Sequence, residues 1–240
     1  MALILCEISD AAALWAAARL QERGVAVDLI FAPTLGAATR WEHRVDIRSA
    51  TVDVTLPDGR RLSSRHAEPI LNRLSFVPVE RLRMIGGGDF GYAVQEYFAF
   101  YLSWLHAWPA TVLNRPTPQG LSGNYRHPSA WASLGAQAGL PVRAWVQDDA
   151  DPPDTAWLTS AAEVTAFVVA DAVVLPPALP EAFTDGCRAL AALAGNAILG
   201  IDFARVADGD EWQVVGASPM PNLMLGGDRL LGPLAAALSA

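Results

Sequence analysis

Arg73 and Asn114 each close a short apolar run, at residues 70–71 and 112–113. If those runs are strands of an open α/β sheet, both side chains stand at carboxyl ends, where such sheets bind ligands. A guanidinium in that position either orients an anionic group or is held by an internal acid. Glu96 and Asp202 are the carboxylates that could act as general bases beside them. His43, His66, His106 and His127 show no HxxxH or HxxE spacing, so they predict no zinc site. Cys6 falls in an apolar stretch and Cys187 in an alanine-rich one, and both read as inert buried thiols. No GxSxG is present to supply a hydrolase nucleophile.

One absence constrains the chemistry further. All 17 basic residues are arginine, and the 240-residue chain contains no lysine. No Schiff base can form, no P-loop lysine can reach a phosphate, and no lysine can serve as general base. Apolar residues make up 52% and charged residues 18%, which excludes disorder for most of the chain. A net charge of −8 without an arginine cluster argues against nucleic-acid or anionic-membrane partners. No apolar stretch reaches the ~18–20 residues of a membrane span, and no export signal is visible. The expectation is a cytoplasmic protein.

The elements that must position these residues are legible from pattern. Residues 2–7 are an apolar run, residues 11–22 an alanine-rich segment behind Ser9 and Asp10 as N-cap, and residues 25–31 a second apolar run. Strand, helix, strand at this spacing is a βαβ unit with a parallel sheet. Residues 44–62 alternate around Pro57-Asp58-Gly59 and predict a hairpin. Residues 70–79 read as extended. Residues 94–108 read as an aromatic helix, apolar almost all round and hence buried. Gly86-Gly87-Gly88-Asp89 lacks the spacing of a phosphate loop and reads as a mobile connector. Residues 128–139 and 180–194 read as helices, 164–175 as a strand or tight strand pair, and 197–204 and 212–215 as strands joined by Asp208-Gly209-Asp210. Residues 230–238 close as a helix. The run from Asp148 to Asp154 is acidic and broken by Pro152 and Pro153, a solvated linker.

The C-terminal stretch Leu199-Gly200-Ile201-Asp202-Phe203-Ala204, with Trp212 to Leu223 after it, resembles the last β-hairpin of ATP-grasp carboxylate–amine ligases of the kind that glutamylate proteins or close rings on ribosomal peptides. Asn72-Arg73-Leu74, Val112-Leu113-Asn114-Arg115-Pro116 and Gly139-Leu140-Pro141 follow that family's segments in order. The resemblance implies an α/β fold, with a Rossmann-like pre-ATP-grasp layer followed by a truncated ATP-grasp core. It divides the chain into a pre-ATP-grasp-like domain at 1–116, a connecting helix and strand at 117–147, an acidic linker at 148–157, and a C-terminal core at 158–240. The linker would replace the nucleotide-clamping subdomain.

The departures from the family are chemical. Its members hold ATP phosphates with lysines, and this chain has none. They hold magnesium with a Glu and an Asn two residues apart, and the corresponding positions here are Gly216 and Ser218. The resemblance therefore implies a pseudo-ATP-grasp protein with no cofactor and no metal. Its function would be that of a binding or scaffold subunit holding a peptide or small acidic metabolite for a partner enzyme in a biosynthetic pathway. Arg73, Asn114, His127, Arg205 and Asn222 form the candidate ligand-binding set. The competing reading is an enzyme of another class that reuses the cleft, with Glu96 or Asp202 as base. Removal of the clamp should also bare a face where residues 142–146 and 164–174 border each other, carrying Trp145, Trp157 and Phe167. Such a face predicts a homodimer or a complex with a partner enzyme.

Overall fold

The computed structural model describes residues 1–79, 82, 89–143, 162–206 and 211–239. The chain divides into two compact units, Met1–Gly123 with Leu234–Ala240, and Asn124–Pro233.

The first unit opens with the expected βαβ unit. β1 (Ala2–Cys6) is buried along its whole length, as a strand with neighbours on both sides and both faces covered must be. α1 (Ala11–Glu22) lays Ala12, Ala13, Ala16, Ala17 and Leu20 inward, and β2 (Val27–Phe31) returns parallel to β1. A short helix, α2 (Ala32–Gly36), follows. β6 (Ile70–Arg73) and β7 (Val112–Leu113) complete a parallel sheet in the order β2-β1-β6-β7. Extended structure from residue 70 therefore ends at Arg73, well short of residue 79.

Between β2 and β6, three strands replace the single hairpin expected from the sequence. β3 (Arg40–Val45), β4 (Ala50–Thr55) and β5 (Arg61–Ser63) form an antiparallel sheet in that order. The Pro57-Asp58-Gly59 turn links β4 to β5, with Gly59 at φ +86°, a value glycine adopts without a Cβ penalty. The missed turn is at Asp46, whose carboxylate accepts from the Arg48 and Ser49 amides at 2.7 and 2.9 Å.

α3 (Phe90–Ala107) packs on this sheet through an aromatic cluster, with Trp41 edge-on to Phe100 at 5.1 Å and Tyr101 edge-on to Trp104 at 5.9 Å. Only Tyr101, Trp104 and Leu105 of this helix are buried. Tyr92, Gln95 and Glu96 are exposed, so its first half is not the buried helix its composition suggests. Its C-terminus is closed by Arg115, whose guanidinium donates to the carbonyls of Leu105, His106, Trp108 and Ala110. A cation here satisfies orphan carbonyls and the negative end of the helix dipole together.

The second unit is an antiparallel sheet in the order β11-β10-β8-β9, built from β8 (Val164–Val169), β9 (Ala172–Val174), β10 (Ile198–Arg205) and β11 (Trp212–Ser218). Ala166, Val168, Leu199, Ile201 and Phe203 alternate onto one face and form a core with residues of α4 (Pro128–Gln137) and α5 (Phe183–Ala194). α5 ends at Gly195, φ +70°, and the freed Ala194 carbonyl accepts from Asn124 and Arg126.

Val142 corrects one expectation. It bridges in parallel to Val214 of β11, so the Gly139-Leu140-Pro141 segment lies along the outer edge of β11 and not beside β8. Two strands separate it from residues 164–169. Phe167, expected on a bare patch, is 1% exposed. Trp145, Trp157, the Asp148–Asp154 run and Gly86 to Gly88 lie outside the described residues.

Candidate functional site

In the first unit, Arg73 and Asn114 stand where the sequence placed them, at the carboxyl ends of adjacent parallel strands. Arg73 is engaged internally. Its Nε donates to Asp10 Oδ2 at 2.7 Å and its Nη2 to Asp10 Oδ1 at 3.1 Å. The pair is nearly dry, with the two side chains 6% and 11% exposed. Asp10 does two jobs, because Oδ1 also accepts the Ala13 amide that opens α1. The acid was legible as an N-cap but not as the arginine's partner. The clue was the parallel pairing of β1 and β6, which sets Cys6 beside Arg73.

Asn114 is buried, and its carbonyl accepts from Asn72 Nδ2 at 3.0 Å. Asn72, which the sequence did not single out, also donates to the Leu121 carbonyl at 2.6 Å and accepts the Leu74 amide through Oδ1. These bonds fix the strand ends as a polar lattice. Glu96 is exposed on α3. Cys6 is pushed up to about 12, chiefly by burial and then by Asp10, and Cys187 to about 12 by burial, which makes both poor nucleophiles.

The second unit carries a cavity of about 470 Å³ on the sheet face opposite its core. β8, β10 and β11 position its floor. Asp202 on β10 lies across from Thr165 on β8 and from Gly216 on β11, and Gly200 lies across from Ser218. A bulge follows Asp202. Thr165 Oγ1 donates to Asp202 Oδ1 at 2.7 Å. Burial raises the Asp202 carboxyl above its ordinary range, and the threonine bond pulls it partly back.

Met220, Pro221 and Asn222 form one wall. Pro221 sits so close over Gly200 that a Cβ added there would lie 2.4 Å from the proline Cβ. Asn222 lines the cavity and caps the following turn, with Oδ1 accepting the Met224 amide at 3.2 Å. Glu163 stands at the rim and accepts the Arg205 amide at 2.9 Å. The Arg205 guanidinium lies 5.0 Å from the centre of the Trp212 ring and does not line the cavity. His127 caps α4, accepting the Ser129 amide at 3.3 Å.

The structure thus groups Asp202 and Asn222 of the candidate residues in one cavity and adds Glu163, Thr165 and Ser218. Thr165 falls in the 164–175 run, which the sequence marks only as a strand. Its signal was a lone hydroxyl on the apolar run that pairs with the Asp202 strand.

No protein-family model matches the sequence, and no curated protein matches it. Solved structures do. The macrocyclase MdnC from Microcystis aeruginosa MRC, bound with precursor peptide MdnA, aligns at TM-score 0.72 and 11% identity, covering 100% of this chain and 99% of that one. A RiPP-associated ATP-grasp ligase from Chryseobacterium gregarium, in complex with ADP and a leader and core peptide, gives 0.70 and 11%, covering 99% and 96%. This chain has the ATP-grasp ligase fold. The ATP-grasp ligase PsnB, complexed with a phosphomimetic variant of its minimal precursor, Mg and ADP, gives 0.65 and 17%, covering 99% and 97%.

The ATP-grasp fold implies ATP with magnesium, and the residues of this cavity do not fit that group. Gly216 has no side-chain oxygen to offer, and Ser218 offers only a neutral hydroxyl that already accepts the Met220 amide at 3.1 Å. Asp202 is left as the sole carboxylate on the hairpin floor, whereas magnesium demands near-octahedral oxygen ligation. Among the described residues, no group of three or more His, Cys, Asp or Glu could hold a metal ion.

Two measurements check this geometry. Asp10→Asn keeps the cap but removes the carboxylate that meets the buried Arg73 with two bonds, so urea unfolding should show a loss of about 3–5 kcal/mol, against about 1 kcal/mol for a cap alone. Adding Arg73→Met should restore most of that loss. For Asp202, a carboxyl raised on folding binds its proton more tightly in the folded chain. Its contribution is most favourable below the unfolded value near pH 4, declines as pH rises past it, and levels off above the raised value. Melting curves of the native chain and Asp202→Asn across that window should therefore show the variant gaining relative stability as pH rises.

Proposed function

We propose that this protein is a non-catalytic ATP-grasp-like subunit that holds a peptide for a partner enzyme in a biosynthetic pathway. The observation that carries this reading is the hairpin floor, where Asp202 faces Gly216, and Gly200 faces Ser218, in place of a set of metal-binding side chains. The missing lysines support it, since each charge-assisted phosphate contact is worth on the order of 1.5–3 kcal/mol. A replacement of the clamping subdomain by the acidic linker at 148–157 would accord with it. The peptide part of the reading rests on the fold's relatives. MdnC and the Chryseobacterium ligase are both complexes with peptides, and this chain shares their fold over nearly its whole length. The partner is a catalytic enzyme or a second copy of this chain. No helix among the described residues is long and apolar enough to cross a membrane.

One observation favours the second reading, an enzyme of another class in the same cleft. Asp202 is a largely buried carboxyl with a raised pKa beside an accessible cavity, the setting of a general base. In that reading Asp202→Ala abolishes a turnover that the native chain performs.

Calorimetry with ATP and magnesium separates the proposals from ordinary ATP-grasp chemistry. The expected result is no heat of binding at micromolar to millimolar nucleotide. A micromolar, magnesium-dependent affinity would falsify the non-catalytic reading.

A further inference from the structure

Resting on the reading of this cleft as a ligand-holding site, we propose that the Asp202 cavity receives the ammonium-bearing side chain of a lysine in a bound peptide. Among the described residues the polar lining consists of Glu163, Thr165, Asp202, Ser218 and Asn222, and no arginine or histidine lines it. Its hydrogen-bonding capacity is mostly acceptor. The Thr165 hydroxyl is spent on Asp202 Oδ1. Asp202 Oδ2 accepts no hydrogen bond from the described residues, and a Cβ at Gly216 would still lie 3.9 Å from it, so the space beside this oxygen is open. Ser218 Oγ and Asn222 Oδ1 each take one backbone amide and keep further lone-pair capacity.

That pattern selects among ligands by charge and shape. A phosphate or carboxylate would meet the Asp202 carboxylate on the floor, and the nearest cation among the described residues, Arg205, is paired with Glu163 at 3.9 Å on the rim. A divalent metal would find one charged oxygen on the floor instead of a cage. A guanidinium pairs best with both oxygens of a carboxylate, and Thr165 occupies one of them. An ammonium is a compact point charge with three rotatable donors and needs a single charged oxygen plus neutral acceptors. Pro176, Met220, Pro221 and Leu225 form the apolar part of the lining, matching the methylene stem of a lysine. This chain has no lysine of its own, so neither it nor a second copy can supply that side chain, and the lysine comes from a different molecule. The small acidic metabolite considered from the sequence is disfavoured in this cavity.

The chain has four methionines, so methyl-labelled methionine gives a simple spectrum in which Met220→Leu identifies the Met220 signal. The probes are n-butylammonium chloride and the peptide acetyl-Gly-Gly-Lys-Gly-Gly-amide. Both should shift the Met220 methyl saturably, whereas butyrate and the norleucine peptide should not. Asp202→Asn should weaken both by about tenfold or more with the fold intact by circular dichroism. A carbodiimide coupling on the native chain gives a readout independent of any variant. The lysine peptide should be joined to Asp202 or Glu163, and every isopeptide formed through a lysine must be intermolecular. An equal response to the norleucine peptide or butyrate, an undiminished affinity in folded Asp202→Asn, or coupling elsewhere only would overturn the proposal. These outcomes leave the nucleotide calorimetry untouched, so this inference can fail while the non-catalytic reading stands.

Discussion

A guanidinium taken almost wholly out of water organises the first unit. Removing Arg73 from solvent costs several kcal/mol unless an anion meets it with good geometry, and Asp10 meets it with both oxygens. The same carboxylate starts α1. The turn after β1, the first turn of α1 and the end of β6 are therefore fixed by one pair of side chains. Asn72 and Asn114 extend that constraint to β7 and to the Leu121 carbonyl. The carboxyl end of this sheet is closed by its own residues. That moves the interest in ligand chemistry to the second unit.

There the constraint is of the opposite kind. Asp202 is a carboxylate that burial opposes and only one hydroxyl supports. In the first unit a buried charge finds its complement within the chain. In the second, one oxygen of the carboxylate finds none among the described residues, and the strand facing it carries a glycine. The core on the other sheet face is continuous and apolar, so the fold of the unit rests on that core and Asp202 only modulates its stability. A sheet of this kind can lose an old ligand set without losing its fold.

Much of this was legible in the sequence because it rests on local signals. The βαβ opening follows from two apolar runs around a capped alanine helix, and the final hairpin from the Leu199–Ala204 and Trp212–Leu223 motifs. The ATP-grasp fold was readable from motif order even though the solved relatives are 11–17% identical. What was missed depends on pairing. The Arg73 partner is 63 residues away, and Val142 reaches β11 across a separation that no local pattern encodes. The half-exposed α3 misled for a related reason. Aromatic composition reports what can be buried, while the small three-stranded sheet beneath it determines how much is. Thr165 stood out only as a lone hydroxyl, because its role exists only once β8 is set against β10.

Pro219 and Pro221 flank Met220 on the wall of the cavity, and Pro221 seats directly on Gly200. Proline fixes its own φ and restricts the residue before it, so this lip has few conformations to lose when a guest arrives. Recognition at such a wall incurs little ordering entropy. Its selectivity is then that of a preformed mould, in which a guest of the wrong width is refused and the wall does not reshape around it. Position 200 belongs to that mould as much as the prolines do, since any side chain there would lift the lip from the strand that supports it.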